Sequence, residues 1–584
     1  MMRVRSDALR IVLRSLALGL GALHTAVAVR QQSMSEDGIN YLDIGTAAFA
    51  GEWETALNTV WSPLYALILG GVQRVVAPSV SWEFPVVQMT NFVIYAAALF
   101  SFEFFWRALP MRVAGERDTQ AGQHLDEIAP RAWLVLGYSL FIWSSLSLVT
   151  IWAVTPDMLV AAGVYLAAGL VLRVPDSAAP RRTAAWLGIA LGAAYLAKAA
   201  MFPLGLVLVG LVAALPRLPL TTAPRLACIL IPFVLVSGPL VAAVSARSGH
   251  FSFSEVGAFT YMKHVNELRY PHWGASIERV GGAAVHPPTL ELAEPEVYAF
   301  AEPITGTYPL AFDPAYWTEG LAPTFTLGQQ LRASVANVSF YADLFARTQG
   351  GFLAVVLVLG ALAWRGRTWS LNPRTALAAW ALSAFGLYVL VYAEARYVAP
   401  FVAVLWGALL ASLTFPHEGA YRRVAAVGGA VLVACVWFNI AGFNMDGAAA
   451  VLGLQVDRPS AEDAGRFSPT EDGGVTHPRV AEGLLEMGLQ PGDPVGFIGD
   501  SFAAYWARLA RLRIVAEIPL HQVATFWQIE PDRAADVLQA FTASGAVAVV
   551  AARPHGTHLP AGWRPVGDTS YVIRLLHGRG KGLT

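Results

Sequence analysis

A chain of 584 residues with 55% hydrophobic and only 14% charged residues is not built for water alone, because ordinary soluble proteins carry about 25% charged residues. Its mean hydropathy of +0.50 agrees. Forty Lys+Arg against 41 Asp+Glu, a formal charge of -1, exclude the overall basic excess of a nucleic-acid binder.

Arg3, Arg5 and Arg10 precede an apolar run that ends at Ala26-Val27-Ala28, a pattern shared with cleavable signal peptides. Arg14 interrupts the apolar core, so an uncleaved first span with its basic end in the cytoplasm is expected. A membrane helix needs about 20 mostly apolar residues, and about eleven segments qualify or nearly so. They are 9–29, 84–106, 132–151, 156–173, 184–198, 200–216, 226–245, 349–364, 376–392, 397–415 and 424–441. The short pair 184–198 and 200–216 suits either a tight hairpin or one kinked element. Cys228 and Cys435 lie in apolar runs and suit buried hydrophobes better than a disulfide or a metal cluster.

Short cytoplasmic loops collect Lys and Arg. Arg107, Arg112, Arg117 and Arg131 fall in one such loop; then come Arg173, Arg181 and Arg182, Arg217 with Arg225, Arg365, Arg367 and Arg374, and Arg422 with Arg423. The odd span count puts the C-terminal region outside a bacterial inner membrane. Residues 31–83, the Thr155-Pro156-Asp157 turn and the loop 246–348 share that side. Residues 1–441 thus form the membrane domain, 442–477 a linker rich in Gly, Asp and Pro, and 478–584 a periplasmic α/β domain. That domain alternates a helix near 479–487, strands 495–498 and 514–518, helices near 502–512 and 534–542, and strands 547–551 and 571–575.

Glu36 and Asp37 stand just past the first span. A carboxylate at the membrane surface takes a proton from an acceptor hydroxyl or binds a cation, while solvated loop acids are the plain alternative. Trp61 and Tyr65 follow, in an apolar stretch suited to a helix lying in the interface. Asp157 equally suits completion of a helix N-terminus. Lys198 lies among apolar residues, where an unpaired ammonium is costly; a lipid phosphate fits it as partner, and snorkelling to the outer interface is the alternative. Glu394, Arg396 and Tyr397 form a similar island, the guanidinium offering a planar fork for phosphate oxygens or a local pair with Glu394. In the long loop, Tyr261, Lys263, His264, Asn266, Arg269, Tyr270, His272 and Trp273 cluster, followed by His286 and an aromatic stretch that includes Tyr308. Such density suits sugar recognition or packing at the membrane surface. The histidines lack zinc-motif spacing. Val495-Gly-Phe-Ile-Gly-Asp500-Ser501 resembles the nucleophile block of GDS-type hydrolases, but the Asp-x-x-His they require is missing. A strand-to-helix turn with a capping Asp or Ser is therefore expected.

Taken together, Glu36-Asp37, Trp61-Ser-Pro-Leu-Tyr65, Thr155-Pro-Asp157, Tyr195-Leu-Ala-Lys198 and Arg396-Tyr-x-x-Pro400 resemble, in order and location, the GT-C superfamily of membrane glycosyltransferases over roughly residues 10–415. Bacterial protein mannosyltransferases and the lipid A aminoarabinose transferase are members of that group. The resemblance implies a GT-C fold and an inverting transfer of a sugar, hexosyl or pentosyl, from a polyprenyl-phosphate carrier to a hydroxyl of a lipid, glycan or protein acceptor. It implies Asp37 as general base with Glu36 beside it, and Asp157 as second acid. Lys198 and Arg396 would hold the donor phosphate, assisted by Arg269 or His264, with Tyr397, Glu394, Tyr308, Trp61 and Tyr65 lining the substrate site. Relatives carry Asp-Glu or Asp-x-Asp where this chain has Glu-Asp, which leaves open which acid is the base and whether Glu36, Asp37 and Asp157 share a divalent metal. A transporter or lipid-linked sugar flippase, and an oligosaccharide ligase or polymerase, are the competing readings.

Overall fold

The structure, a computed structural model, describes residues 2–32, 34–110, 123–174, 179–216, 222–269, 279–363, 371–415, 419–451, 476–553 and 558–576. Arg112, Arg117, Arg217, Arg365, Arg367, Tyr270, His272, Trp273 and most of the expected linker lie outside the described residues. Each of the eleven apolar segments holds a helix. In chain order the helices are α1 (Met2–Gln31), α2 (Glu36–Ala50), α3 (Pro63–Val76), α4 (Glu83–Ala108), α5 (Pro130–Trp143), α6 (Asp157–Arg173), α7 (Pro180–Ala197), α8 (Met201–Ala213), α9 (Thr222–Ser248), α10 (Val256–His264), α11 (Leu327–Ala363), α12 (Pro373–Val391), α13 (Ala395–Ala411) and α14 (Gly419–Val451). Six of them, α1, α4, α5 with the π-turn that follows it, α9, α11 and α14, are long and apolar enough among the described residues to cross a membrane. The chain is a polytopic α-helical membrane protein that also carries a β-sheet.

Two compact units divide the chain. The first comprises residues 1–27, 89–253 and 326–457; the second comprises 28–88, 254–325 and 458–584. This partition cuts across the one expected from composition, in which the boundaries follow chain order at 441 and 478. The reason lies in the long loop, which supplies strands and buried side chains to the C-terminal sheet.

Small residues build the first unit's helix contacts, as close backbone approach requires in an apolar solvent. A Cβ on Gly188 of α7 would stand 2.1 Å from the Ile229 carbonyl oxygen of α9. The break after α7 is sharp: Lys198 is extended and α8 starts at Met201. Leu191 lies within 3.7 Å of where a Gly205 Cβ would stand, a contact that one continuous helix would not allow, so the pair forms the tight hairpin. Arg14 has its explanation inside this unit. Its guanidinium grips Glu103 of α4 through two bonds of 2.8 and 2.6 Å, while Arg107 and the Tyr138 hydroxyl donate to the same carboxylate at 2.8 and 2.7 Å. A bidentate, fully engaged carboxylate is what makes charge tolerable in a helix bundle. Two arginines from the expected cytoplasmic loops turn inward: Arg225 donates to the carbonyls of Val212 and Leu215 at the end of α8, and Arg374 to that of Leu109. Cations there satisfy helix C-terminal carbonyls that have no partner within the helix.

In the second unit a seven-stranded sheet carries the α/β layer. Its strands are β1 (Thr289–Ala293), β2 (Glu296–Ala299), β3 (Pro494–Gly499), β4 (Arg513–Pro519), β5 (Ala548–Ala552), β6 (Arg564–Pro565) and β7 (Tyr571–Leu575), in spatial order β6-β7-β5-β3-β4-β2-β1. The central strands β5, β3 and β4 run parallel and the rest antiparallel. Helices α15 (Thr476–Glu486), α16 (Tyr505–Leu509) and α17 (Pro531–Ala543) complete the layer. The four expected strands are β3, β4, β5 and β7. The hairpin β1–β2 comes from the long loop, pairing Tyr298 with Glu517 and Ala299 with Ala516.

The same unit ties its three chain segments together through one buried ionic node. Arg508 of α16 donates to Asp43 of α2 at 3.0 Å, to the Thr46 hydroxyl at 2.8 Å and to Glu83 at 3.3 Å; Thr307 donates its N–H to Asp43 at 2.7 Å. Burial pushes the Asp43 carboxyl above its usual range, against the pull of Arg508 and Thr307. Removing one partner of a buried pair strands the other charge, at about 3–5 kcal/mol. Arg508→Met is therefore expected to lower the thermal midpoint of the purified protein strongly, and an unchanged midpoint contradicts this role.

Candidate active site

Within the first unit, the expected phosphate-binding and acidic residues converge. Asp157 is the first residue of α6, after Pro156; Lys198 is the C-cap of α7; Glu394 is the N-cap of α13 and Arg396 lies in its first turn. The elements dictate this meeting. A proline before Asp157 starts one helix, an extended Lys198 ends another, and an extended Glu394 opens the third. The structure brings these side chains into contact.

The Lys198 ammonium donates to Asp157 at 2.5 Å, and the Arg396 guanidinium lies 3.6 Å from the other Asp157 oxygen. Arg396 also donates to Glu394 at 2.6 Å, whose second oxygen accepts from the Tyr392 hydroxyl at 2.8 Å. The Tyr397 ring stands under both cations, 3.5 Å from the ammonium nitrogen and 5.3 Å from the guanidinium carbon. Asp157 is 2% exposed, whereas Lys198 and Arg396 keep 20% and 24% of their side chains accessible. A buried acid thus sits behind two partly accessible cations on an aromatic floor. Cations held by an anion and a π-face are oriented before any ligand arrives, which lowers the cost of binding an anion between them.

Other expected site residues belong to the second unit. Ser35 caps α2 by accepting from the Gly38 N–H at 3.1 Å, and Glu36 and Asp37 occupy its first turn. Glu36 is exposed and Asp37 half-buried. One turn on, Tyr41 meets the rings of Trp61 and Tyr65 edge-on at 5.4 and 5.2 Å. Helices α2 and α3 touch through glycine: a Cβ on Gly45 would stand 2.5 Å from the Ala66 carbonyl oxygen. Tyr65 is 1% exposed, and the Trp61 indole donates to the Ala311 and Phe312 carbonyls at 3.2 and 3.1 Å. These two rings pack the unit around α2. His264 ends α10, and Arg269 follows it on the surface. His286 stacks on Tyr316 at 4.0 Å, and Trp317 is buried, so part of the loop's aromatic density is internal packing. Asp500 caps the turn after β3 by accepting from the Phe502 N–H at 3.2 Å, the capping role expected for it.

Among the described residues, no group of three or more His, Cys, Asp or Glu side chains is placed to hold a metal ion. Asp157 faces two cations, and Glu36 and Asp37 belong to the other unit. Within its own unit, and among the described residues, Asp157 with Lys198 and Arg396 against it does not offer the donor set of a metal ion.

Three acids escaped the sequence reading. Asp43 and Glu103 are single charges inside apolar helical stretches, and that cost was their signal. Glu517 interrupts the apolar strand β4; burial pushes its carboxyl up to about 7, opposed by hydrogen bonds from the Ser501 side chain and, at 2.8 Å, from the Tyr308 hydroxyl. Because the folded state favours the protonated form, this group's contribution is fully present below its unfolded value of 4.5 and is lost as pH rises through about 7. At about 1.4 kcal/mol per pKa unit, the loss is roughly 3 kcal/mol. Glu517→Gln is expected to flatten that part of the stability-against-pH curve, and an unchanged slope between pH 5 and 7 contradicts it.

Comparison with solved structures finds a similarity along nearly the whole chain. ArnT from Cupriavidus metallidurans, crystallised bound to undecaprenyl phosphate, aligns with 96% of this chain and 97% of its own at 15% identity and a TM-score of 0.49. The Archaeoglobus fulgidus oligosaccharyltransferase in complex with Zn and sulfate aligns with 91% of this chain and 67% of its own at 12% identity and a TM-score of 0.40. The same enzyme tethered to an acceptor peptide aligns with 92% and 69%, at 12% identity and a TM-score of 0.36. No family model and no curated protein matches the chain.

Proposed function

We propose that the protein is an inverting glycosyltransferase that takes a sugar from a polyprenyl-phosphate carrier and passes it to a hydroxyl acceptor on the periplasmic face. The observation that carries this reading is the Asp157–Lys198–Arg396–Tyr397 cluster, two oriented and partly accessible cations among apolar helices. A phosphate on a greasy chain is the anion that suits such a place, since guanidinium and ammonium groups together neutralise its oxygens.

Chemistry then asks little of the protein. The lipid phosphate is already a good leaving group, so Lys198 and Arg396 stabilise the charge that grows on it as the glycosidic bond breaks. Asp37 takes the acceptor hydroxyl's proton as the new bond forms, with Glu36 beside it. Asp157 and Glu394 act as positioning residues that hold the two cations. Arg269 or His264 assists at the donor phosphate, and Tyr308 is a further proposed substrate contact.

The test is transfer itself. Protein reconstituted in vesicles with a panel of polyprenyl-phosphate-linked hexoses and pentoses is expected to yield a sugar covalently joined to an acceptor hydroxyl. Movement of an intact carrier across the bilayer with no bond formed would replace this reading with the flippase one. The charges also predict the sign of one variant. Asp157→Asn leaves two cations facing one fewer anion, so affinity for a polyprenyl phosphate is expected to rise several-fold while turnover falls. A loss of affinity, measured by native mass spectrometry or calorimetry, contradicts the counter-ion role.

A further inference from the structure

A second cavity lies in the sheet-bearing unit, at the carboxyl ends of the parallel strands β3 and β4, where Gly499 pairs with Pro519. Its volume is about 310 Å³, at the small end of ligand sites, which run from about 300 to 1,000 Å³. Crevices at the carboxyl ends of parallel strands are where open α/β sheets bind their ligands. Tyr308, Asp500, Ser501, Phe502, Glu517 and His521 line it.

The lining specifies a ligand chemistry. Two carboxyl groups and no Lys or Arg face the space, which disfavours phosphate or carboxylate ligands. Glu517 is 2% exposed and accepts from the Tyr308 hydroxyl at 2.8 Å. Ser501 is 4% exposed, and its hydroxyl lies beside the Glu517 carboxyl. The Phe502 ring is held edge-on by Tyr308 at a centroid distance of 5.0 Å, giving an apolar wall beside the polar groups. Exposed His521 stands at the rim, 3.6 Å from Glu296.

We infer that this cavity binds the vicinal hydroxyls of a pyranose, as a free monosaccharide or the terminal sugar of a glycan. Glu517 and Asp500 accept from ring hydroxyls, Ser501 exchanges a hydrogen bond with one of them, and Phe502 covers the ring's apolar C–H face. Neutral vicinal hydroxyls both donate and accept, which matches a set of carboxyls and hydroxyls better than an ammonium would. The inference shares Tyr308 with the proposed substrate contacts of the transfer reaction but does not rest on that reaction, because it concerns binding at the carboxyl ends of β3 and β4.

The full chain, purified in a detergent without a sugar headgroup, is tested by saturation-transfer NMR and calorimetry with glucose, mannose, galactose, arabinose and N-acetylglucosamine. At least one is expected to bind, and Glu517→Gln and Ser501→Val are each expected to weaken it about tenfold or more with the thermal midpoint retained. Should Glu517→Gln fail to fold, Phe502→Ala, at a half-exposed position, carries the same expectation. Absence of binding by all five sugars, or equal affinity in the variants, overturns the inference. Failure here with sugar transfer intact would leave the proposed reaction untouched.

Discussion

Asp37→Asn is expected to lower sugar transfer by about 10²–10⁴-fold, the usual contribution of a positioned general base. The substitution is nearly isosteric. Ser35 caps α2 ahead of it, and Gly45 and Gly70 lock that helix against α3, so the helix should keep its place when the charge is lost. The thermal midpoint is expected to move little, since the change removes one half-buried charge from a helix first turn, where a carboxylate contributes about 0.3–1 kcal/mol. Glu36→Gln beside it separates the two acids: a smaller loss there assigns the base to Asp37, and a larger one assigns it to Glu36. Turnover of Asp37→Asn within a few-fold of the unaltered protein, measured with reconstituted vesicles, contradicts the role.

Lys198→Met and Arg396→Met should each weaken binding of a polyprenyl phosphate by about ten- to a hundredfold. Hydrogen bonds to charged groups contribute about 1.5–3 kcal/mol, and 1.4 kcal/mol is a factor of ten. The two effects should fall short of additive, because both cations share Asp157 at 2.5 and 3.6 Å and coupled neighbours fail additivity. Methionine keeps the apolar stem that packs in the bundle, so the loss reports charge more than packing. A Tyr397→Leu variant, which removes the ring 3.5 Å from the ammonium, should lose less than either, by about 0.5–2 kcal/mol. Equal affinity across all three variants would dissociate the cluster from the lipid phosphate.

Much of the helical part was legible because membrane helices announce themselves by apolar length, and a helix needs no distant partner to satisfy its backbone. The three charged islands at Asp157, Lys198 and Arg396 were legible for the complementary reason, that charge in an apolar stretch has to be matched. Arg14 gave the same signal, yet its partner Glu103 lies in another helix, and one sequence does not show which helices are neighbours. The hairpin β1–β2 was hidden by its composition. Glu291, Glu294 and Glu296 make it look like a solvated loop, and only edge pairing on β4 turns it into sheet. Asp43 and Arg508 were illegible as a pair for a related reason, since they meet only after three distant segments fold together. Trp61 and Tyr65, which the resemblance puts at the substrate site, pack edge-on against Tyr41, a contact between residues 20 and 24 apart that local pattern does not show.

The most direct test of the proposed lipid-phosphate site is photocrosslinking with a polyprenyl phosphate that carries a diazirine on the first isoprene, next to the phosphate. Peptides containing Thr155–Asp157, Tyr195–Lys198 and Tyr392–Tyr397 are predicted to carry the label, and unlabelled polyprenyl phosphate should compete it away. Competable labelling confined to other segments, such as the helix ends bearing Arg225 and Arg374, would contradict the account.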